Sequence, residues 1–304
     1  MRHVAWVAGS LALLALSPSA HADDPKFAYG KYEERKVVEW KLSASAGLLL
    51  TTGNANQVSF SAAAMASRHD GKNKLQLDVS GAYARATTIS ANDSNGDGVL
   101  GRADANGGID RTDNVSTALW NTKLRYDRFF SANNAGYLTG FAWGNEPAGK
   151  KVVAGAQAGY SRQLFKNDMH LIVAELGYDF SFERLTNAPT NYYIHSLRLF
   201  FGYTLTLSKD TNFFVDVEYL GNMNKFDGPY GAEIGAFEDS RVTGRAALTT
   251  RIWKKLAFRI AFTAKYDNVP APLSGLKVPF EAGYLPMAEK LDTITDASLV
   301  VNFL

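Results

Sequence analysis

The stretch Asp93-Ser94-Asn95-Gly96-Asp97-Gly98-Val99-Leu100-Gly101-Arg102-Ala103-Asp104 carries the sharpest chemical spacing in the chain. Asp93, Asn95 and Asp97 put oxygen-bearing side chains at its first, third and fifth positions, and Gly98 supplies the sharp turn that a calcium loop needs. The backbone carbonyl of Val99 takes the seventh position and Asp104 the twelfth, where glutamate is usual. The shorter arm of Asp104 reaches an ion less readily with both oxygens, so the spacing predicts weak calcium binding, with Kd of about 10⁻⁴ to 10⁻³ M. A flexible Asn/Asp/Gly surface loop without an ion has the same composition. No other cofactor is required.

A second set of groups lies on one face of segments with a period of two: Lys123, Arg125, Asp127, Glu175, Asp179, Glu183, Arg198, Asp216, Glu218, Arg241, Arg245, Arg251, Arg259, Lys265, Asp267 and Asp296. Neighbouring segments present opposite signs, as cross-strand ion pairs would. Such a face lines a polar pore whose field selects small solutes, or it fills a narrow lumen and neutralises itself. Catalysis is the competing chemistry. A lipid- or peptide-hydrolysing barrel needs a nucleophile with a histidine base in reach, and beyond residue 22 only His69, His170 and His195 remain. His69 reads as a turn residue, His170 as the start of a strand, and His195 as part of an apolar face from which Ser196 points away. The chain is therefore read as a non-enzyme, with an outer-membrane hydrolase as the alternative.

These residues need a scaffold, and its key is the closing stretch Asp292 to Leu304. Thr293, Thr295, Ala297, Leu299, Val301 and Phe303 share one face of an extended strand, and Asp292, Asp296, Ser298 and Asn302 share the other. One face suits lipid and the other water, as in the last strand of a barrel that must pair back to the first. Residues 1–22 hold Arg2, an apolar run from Val4 to Leu16, and Ala20-His21-Ala22, the form of a secretory leader. Residues 23–37 read as a short periplasmic lead-in, and 38–304 as the barrel. The chain has no cysteine, which excludes disulfides, thiolate chemistry and a lipid-modified cysteine anchor. A formal charge of +2, without a basic block, argues against a nucleic-acid partner.

Alternation recurs along the whole length. The membrane-type faces run through Trp40 to Leu50, Val58 to Ala66, Leu75 to Tyr83, Ala118 to Tyr126, Tyr137 to Trp143 by odd numbers, Val152 to Tyr160, Ile172 to Phe182, Tyr193 to Leu205, Phe213 to Tyr219, Val242 to Ile252 and Phe258 to Tyr266. With the closing strand this predicts an all-β transmembrane antiparallel β-barrel of roughly twelve strands. Tight turns near residues 70, 133, 167, 209 and 254 alternate with long connections at 87–114, 221–240 and 268–290, as periplasmic turns alternate with extracellular loops. The bacterial outer membrane is the expected location, and its lipid and passing small solutes are the expected partners.

Several segments carry a family resemblance: Gly47-LLLTTGNANQVSF on to Tyr83-Ala84-Arg85, Arg125-YDRFFS, Gly155-AQAGYSRQLF, Glu175-LGYDFSFER, and Leu256-AFRIAFTAKYDNVPAP with the closing strand. Over about Trp40 to Leu304 the chain resembles the YdiY-like salt-induced outer-membrane proteins, whose function is unknown. The resemblance implies a porin-like or envelope-structural barrel, inserted by the barrel-assembly machinery, and brings no catalytic residue. Two features depart from it. The terminal aromatic, Phe303, is penultimate, and the loop around residues 90–113 is longer than the family's ordinary connection.

Overall fold

The computed structural model describes residues 38–51, 57–96, 98, 102, 104–186, 191–229, 231, 233–272 and 287–302. The expected leader and lead-in, residues 1–37, lie outside them. The alternating segments become twelve wall strands: β1 (Glu39–Thr51), β2 (Gln57–Asp70), β3 (Asn73–Ala91), β4 (Ile109–Ser131), β5 (Asn134–Asn145), β6 (Lys150–Lys166), β7 (His170–Leu185), β8 (Asn191–Thr206), β9 (Thr211–Asn222), β12 (Ser240–Trp253), β13 (Leu256–Asp267) and β14 (Leu291–Asn302). β10 (Phe226–Asp227) and β11 (Glu233–Ile234) form a small separate hairpin in the loop before β12. The wall closes in the order β1-β14-β13-β12-β9-β8-β7-β6-β5-β4-β3-β2, antiparallel throughout.

Closure of the wall is the condition for crossing hydrocarbon, because an open edge there would leave backbone N–H and C=O groups unpaired. Its quality is uneven. Among the described residues β1 and β14 pair only at Ser43 with Asn302 and Ala44 with Val301. By contrast, β14 pairs with β13 from Leu291 to Val301 without interruption.

The outward faces are apolar. Leu77, Val79, Leu124, Leu138, Leu176, Leu199, Val217, Leu248, Ile260 and Leu299 all stand exposed around the wall. Trp40, Phe130, Phe165 and Trp253 sit within two residues of the short-turn ends of their strands, and Tyr193 and Tyr266 lie near the loop ends. An apolar band bounded by aromatic residues is what a bilayer requires and what water would penalise. The barrel belongs in the bacterial outer membrane.

Two boundaries differ from the expected ones. Residues 87–91 and 109–114, read as loop, continue the β3–β4 hairpin in regular register, Ala91 opposite Ile109, so the connection shrinks to 92–108. Alternating Thr, Ile and Arg side chains support pairing in water as well as in lipid, and sequence polarity alone does not show where pairing stops. On β5 the expected membrane face is inverted: Tyr137 and Thr139 are buried inside, while Leu138 is the exposed residue. The reason is room, because inward glycines on the next two strands accept the Tyr137 ring, as described below.

Candidate functional site

Side chains fill the interior in layers. Toward the short-turn end, Leu171, Val173 and Phe200 cluster on β7 and β8, and Phe214 packs against Ala247 and Ala261 of β12 and β13. Above this apolar floor lies the first charged layer. Arg125 of β4 reaches Glu175 of β7 through Nη2 at 2.7 Å and Nη1 at 3.2 Å, spanning three strands, and also binds Asp127 at 2.7 Å. Arg198 of β8 donates to Glu175 at 2.8 Å and pairs with Glu218 of β9. Arg125 and Arg198 are each only 1% exposed.

Tyr137 ties the layer together. Its ring lies 4.3 Å beneath the Arg125 guanidinium, a cation–π contact, and its hydroxyl accepts from Arg198 Nη1 at 2.9 Å. The hydroxyl end occupies the space that a Cβ would take at Gly159 on β6 and at Gly177 on β7. These two glycines make the slot. Higher up, Gln157 and Ser181 both donate to Asp179, at 2.8 and 2.7 Å, and Arg245 binds Asp216, its register partner, at 2.7 Å.

A second charged layer crosses the loop-end mouth. Lys150 of β6 binds Glu183 of β7 at 3.3 Å and Asp267 of β13 at 2.9 Å. Arg241 of β12 pairs with the other oxygen of Glu183 and approaches Asp267 at 3.8 Å. Four groups of alternating sign thus close a ring, and β6 and β13 stand five strands apart in the wall. Asp239, just before β12, accepts from Arg241 Nη2 at 2.7 Å, and burial pushes its carboxyl pKa up. Beside the ring, Leu185, Tyr192, Ile194 and Ala271 form a buried apolar cluster onto which Phe226 of the small hairpin packs.

The expected lumen face is thus largely found inside, and its pairing is of two kinds. Arg245 with Asp216 and Arg198 with Glu218 join adjacent strands as predicted, and Lys150 with Glu183 does the same, whereas the Arg125–Glu175, Glu183–Arg241 and Lys150–Asp267 contacts span the lumen. Arg251 is a correction. It stands about half exposed at the short-turn rim, 3.6 Å from Asp210, because β12 ends there. Arg259 lies inside against the Phe214 ring at 5.8 Å. Lys123 and Lys265 are half-buried on their inward faces, and the side chain of Asp296 lies outside the described residues. Residues not anticipated on the lumen face are Tyr137, Lys150 and Asp239; the inward glycines at 159 and 177 are the readable signal for Tyr137.

In the 92–108 loop, Asp93 accepts from the Gly96 and Gly98 amides at 2.8 and 2.7 Å. Asp104 is buried and accepts from the Ser94 and Asn95 amides at 3.0 and 3.3 Å. Asp97 and Val99 lie outside the described residues. Among the described residues no three metal-binding side chains gather. His170 bonds Tyr203 at 2.8 Å, and His195 bonds Tyr178 on the outer face. His69, expected in a turn, is instead a buried residue of β2 near the Phe129 ring.

Residues 44–303 match the model of the protein family of unknown function DUF481. The chain belongs to the DUF481 family. No curated protein matches it. Among solved structures, this DUF481 chain is similar to OmpT, an outer-membrane protein of Vibrio cholerae, at 9% identity and a TM-score of 0.35, over 90% of this chain and 100% of that one. A Pseudomonas aeruginosa FadL homologue shares 10% identity, with 87% and 73% covered and a TM-score of 0.35. The outer-membrane channel DcaP of Acinetobacter baumannii shares 8%, with 89% and 99% covered and a TM-score of 0.33. The architecture itself rests on the strand register of the chain.

Proposed function

We propose that this DUF481 protein is an envelope-structural barrel whose lumen is closed at rest, rather than an open small-solute pore. The observation that carries the reading is the Arg125–Glu175–Arg198 network, buried across the lumen above an apolar floor. A water-filled path beside these groups would expose them. On the facing wall Ser61, Ala63, Ala247 and Ala261 are also covered, though their own side chains are too short to cover one another. Phe214 covers Ala247, its register partner on the adjacent strand, and Ala261 one strand further along the wall.

The experiment is conductance of the refolded barrel in planar bilayers. A silent but heat-modifiable barrel is the expected result; discrete, reproducible steps would overturn the closed lumen and support a small-solute pore. The salt-induced role that the YdiY-like resemblance suggests is part of the same proposal, tested by whether transcript and protein rise with salt. The reading is also non-enzymatic, supported by His170 and His195 pointing their bonds at tyrosines on the wall. Lipase or protease activity that disappears in His170→Ala or His195→Ala would refute it. Insertion through the barrel-assembly machinery is tested by depleting that machinery and following the heat-modifiable form.

A further inference from the structure

The β3–β4 hairpin outgrows its neighbours. Among the described residues β2 pairs with β3 only as far as Ala86, and β5 pairs with β4 only from Leu119 inward. Residues 85–91 and 109–115 go on pairing with each other, from Arg85 opposite Val115 to Ala91 opposite Ile109. Beyond the amide of Glu146 on the Ala118 carbonyl, nothing described bonds to the outer edge of β4. Arg111 to Ser116 are all exposed.

An open edge accepts a further strand unless proline or lysine blocks it, and residues 109–115 contain neither. Their order, Ile-Asp-Arg-Thr-Asp-Asn-Val, is self-complementary. Laid antiparallel on a second copy about Thr112, Arg111 stands opposite Asp113, Asp110 opposite Asn114 and Ile109 opposite Val115. Opposed residues share a face, so each position meets a partner of matching chemistry, and each of these pairs occurs twice. Only alternate residues turn their N–H and C=O to the outer edge, so the register slides in steps of two. The neighbouring registers set Arg111 on Arg111 or Asp113 on Asp113. Ile109 and Val115 are 44% and 46% exposed, apolar surface that the pairing covers. Asp113 accepts from Thr87 at 2.7 Å and pairs with Arg85 at 3.2 Å, and a carboxylate has about four acceptor positions, so it keeps room for a second arginine.

We propose that the protruding ribbon is a self-association edge: β4 of one barrel pairs antiparallel with β4 of a second copy over residues 109–115, giving a four-stranded sheet across a twofold axis. Main-chain hydrogen bonds hold the sheet and the side-chain order sets its register. Antiparallel pairing reverses the direction of β4 between the copies. Since β4 runs from the ribbon into the wall, the two barrels stand ribbon to ribbon in facing membranes. The inference goes beyond the closed-lumen reading and does not depend on it, because the ribbon lies past the last pairs of β2 and β5.

The chain has no cysteine, so disulfide trapping of the detergent-refolded barrel reads the register directly. Thr112→Cys should give a covalent dimer under mild oxidation, because opposed Cα atoms lie about 4.5–5.5 Å apart, within disulfide reach. Asn114→Cys should stay monomeric alone, its two copies being roughly 13 Å apart along the strand, and should form a mixed dimer with Asp110→Cys. Arg111→Asp and Asp113→Arg should each weaken the dimer about tenfold or more in sedimentation, since the like-charge contact recurs on both sides of the axis. Mixing these two variants restores opposite charges at both contacts and should restore the dimer. Each variant is checked for the heat-modifiable folded form. Vesicles carrying the unaltered barrel should cluster, and vesicles carrying Arg111→Asp should not. Equal trapping at 112 and 114, no trapping at 112, or no recovery on mixing would overturn the ribbon pairing. Trapped dimers in vesicles that stay apart would overturn the facing arrangement.

Discussion

Glu175→Gln is the sharpest test of the packed interior. Glu175 accepts three bonds from two arginines, Arg125 Nη2 on Oε1 and Arg125 Nη1 with Arg198 Nη1 on Oε2. Glutamine keeps one acceptor oxygen and turns an NH₂ group toward the remaining donors. With the oxygen in the Oε1 place, two guanidinium N–H groups face another donor, at about 1.5–3 kcal/mol for each charged hydrogen bond lost. The sum, about 3–6 kcal/mol, overlaps the cost of about 3–5 kcal/mol for breaking a buried ion pair from one side. Urea unfolding in detergent micelles, followed by tryptophan fluorescence and by the heat-modifiable gel shift, reads it directly. Arg251→Ala is the control: its 3.6 Å pair with Asp210 is half exposed on both sides, and such pairs are worth at most about 1 kcal/mol. If the two variants unfold alike, water reaches Glu175, and the closed lumen falls with the energetic argument.

Gly177→Ala should cost about 1–3 kcal/mol, the usual penalty for overpacking, because its new methyl meets the Tyr137 hydroxyl. Tyr137→Phe in the same chain should recover part of that loss, and no recovery would mean that the backbone carbonyl of Ala158 sets the clash. Calcium at about 1 mM should slow proteolysis between Asp93 and Asp104 if the ion adds to the amide braces already present; cleavage that ignores calcium would count against the metal loop. Amide exchange should be faster in Gly47–Thr51 and Ile294–Val300 than in the fully paired β7–β8 boundary. Equal protection would mean that the closing strands zip along their whole length.

Why the wall was legible in the sequence and its interior less so follows from what each depends on. Alternation is local: Leu75, Leu77 and Val79 announce an outward face by themselves, and the lipid outside asks nothing more specific of them. The lumen poses a different problem, since a group there is satisfied by whichever strand faces it across the barrel. Lys150 and Asp267 are far apart in sequence and five strands apart in the wall, yet they bond at 2.9 Å. No spacing rule joins them. Tyr137 shows how far local reading can be pushed. An aromatic at a strand position normally suits the interface, and alternation puts Tyr137 there; only the inward glycines at 159 and 177, one on each of the next two strands, reveal that the interior has a gap of its size. The same logic explains Asp239, two residues from the arginine it binds on the same face. A carboxylate at that spacing cannot choose between solvent and its neighbour from sequence alone. Closure of the barrel makes the choice, by removing the solvent.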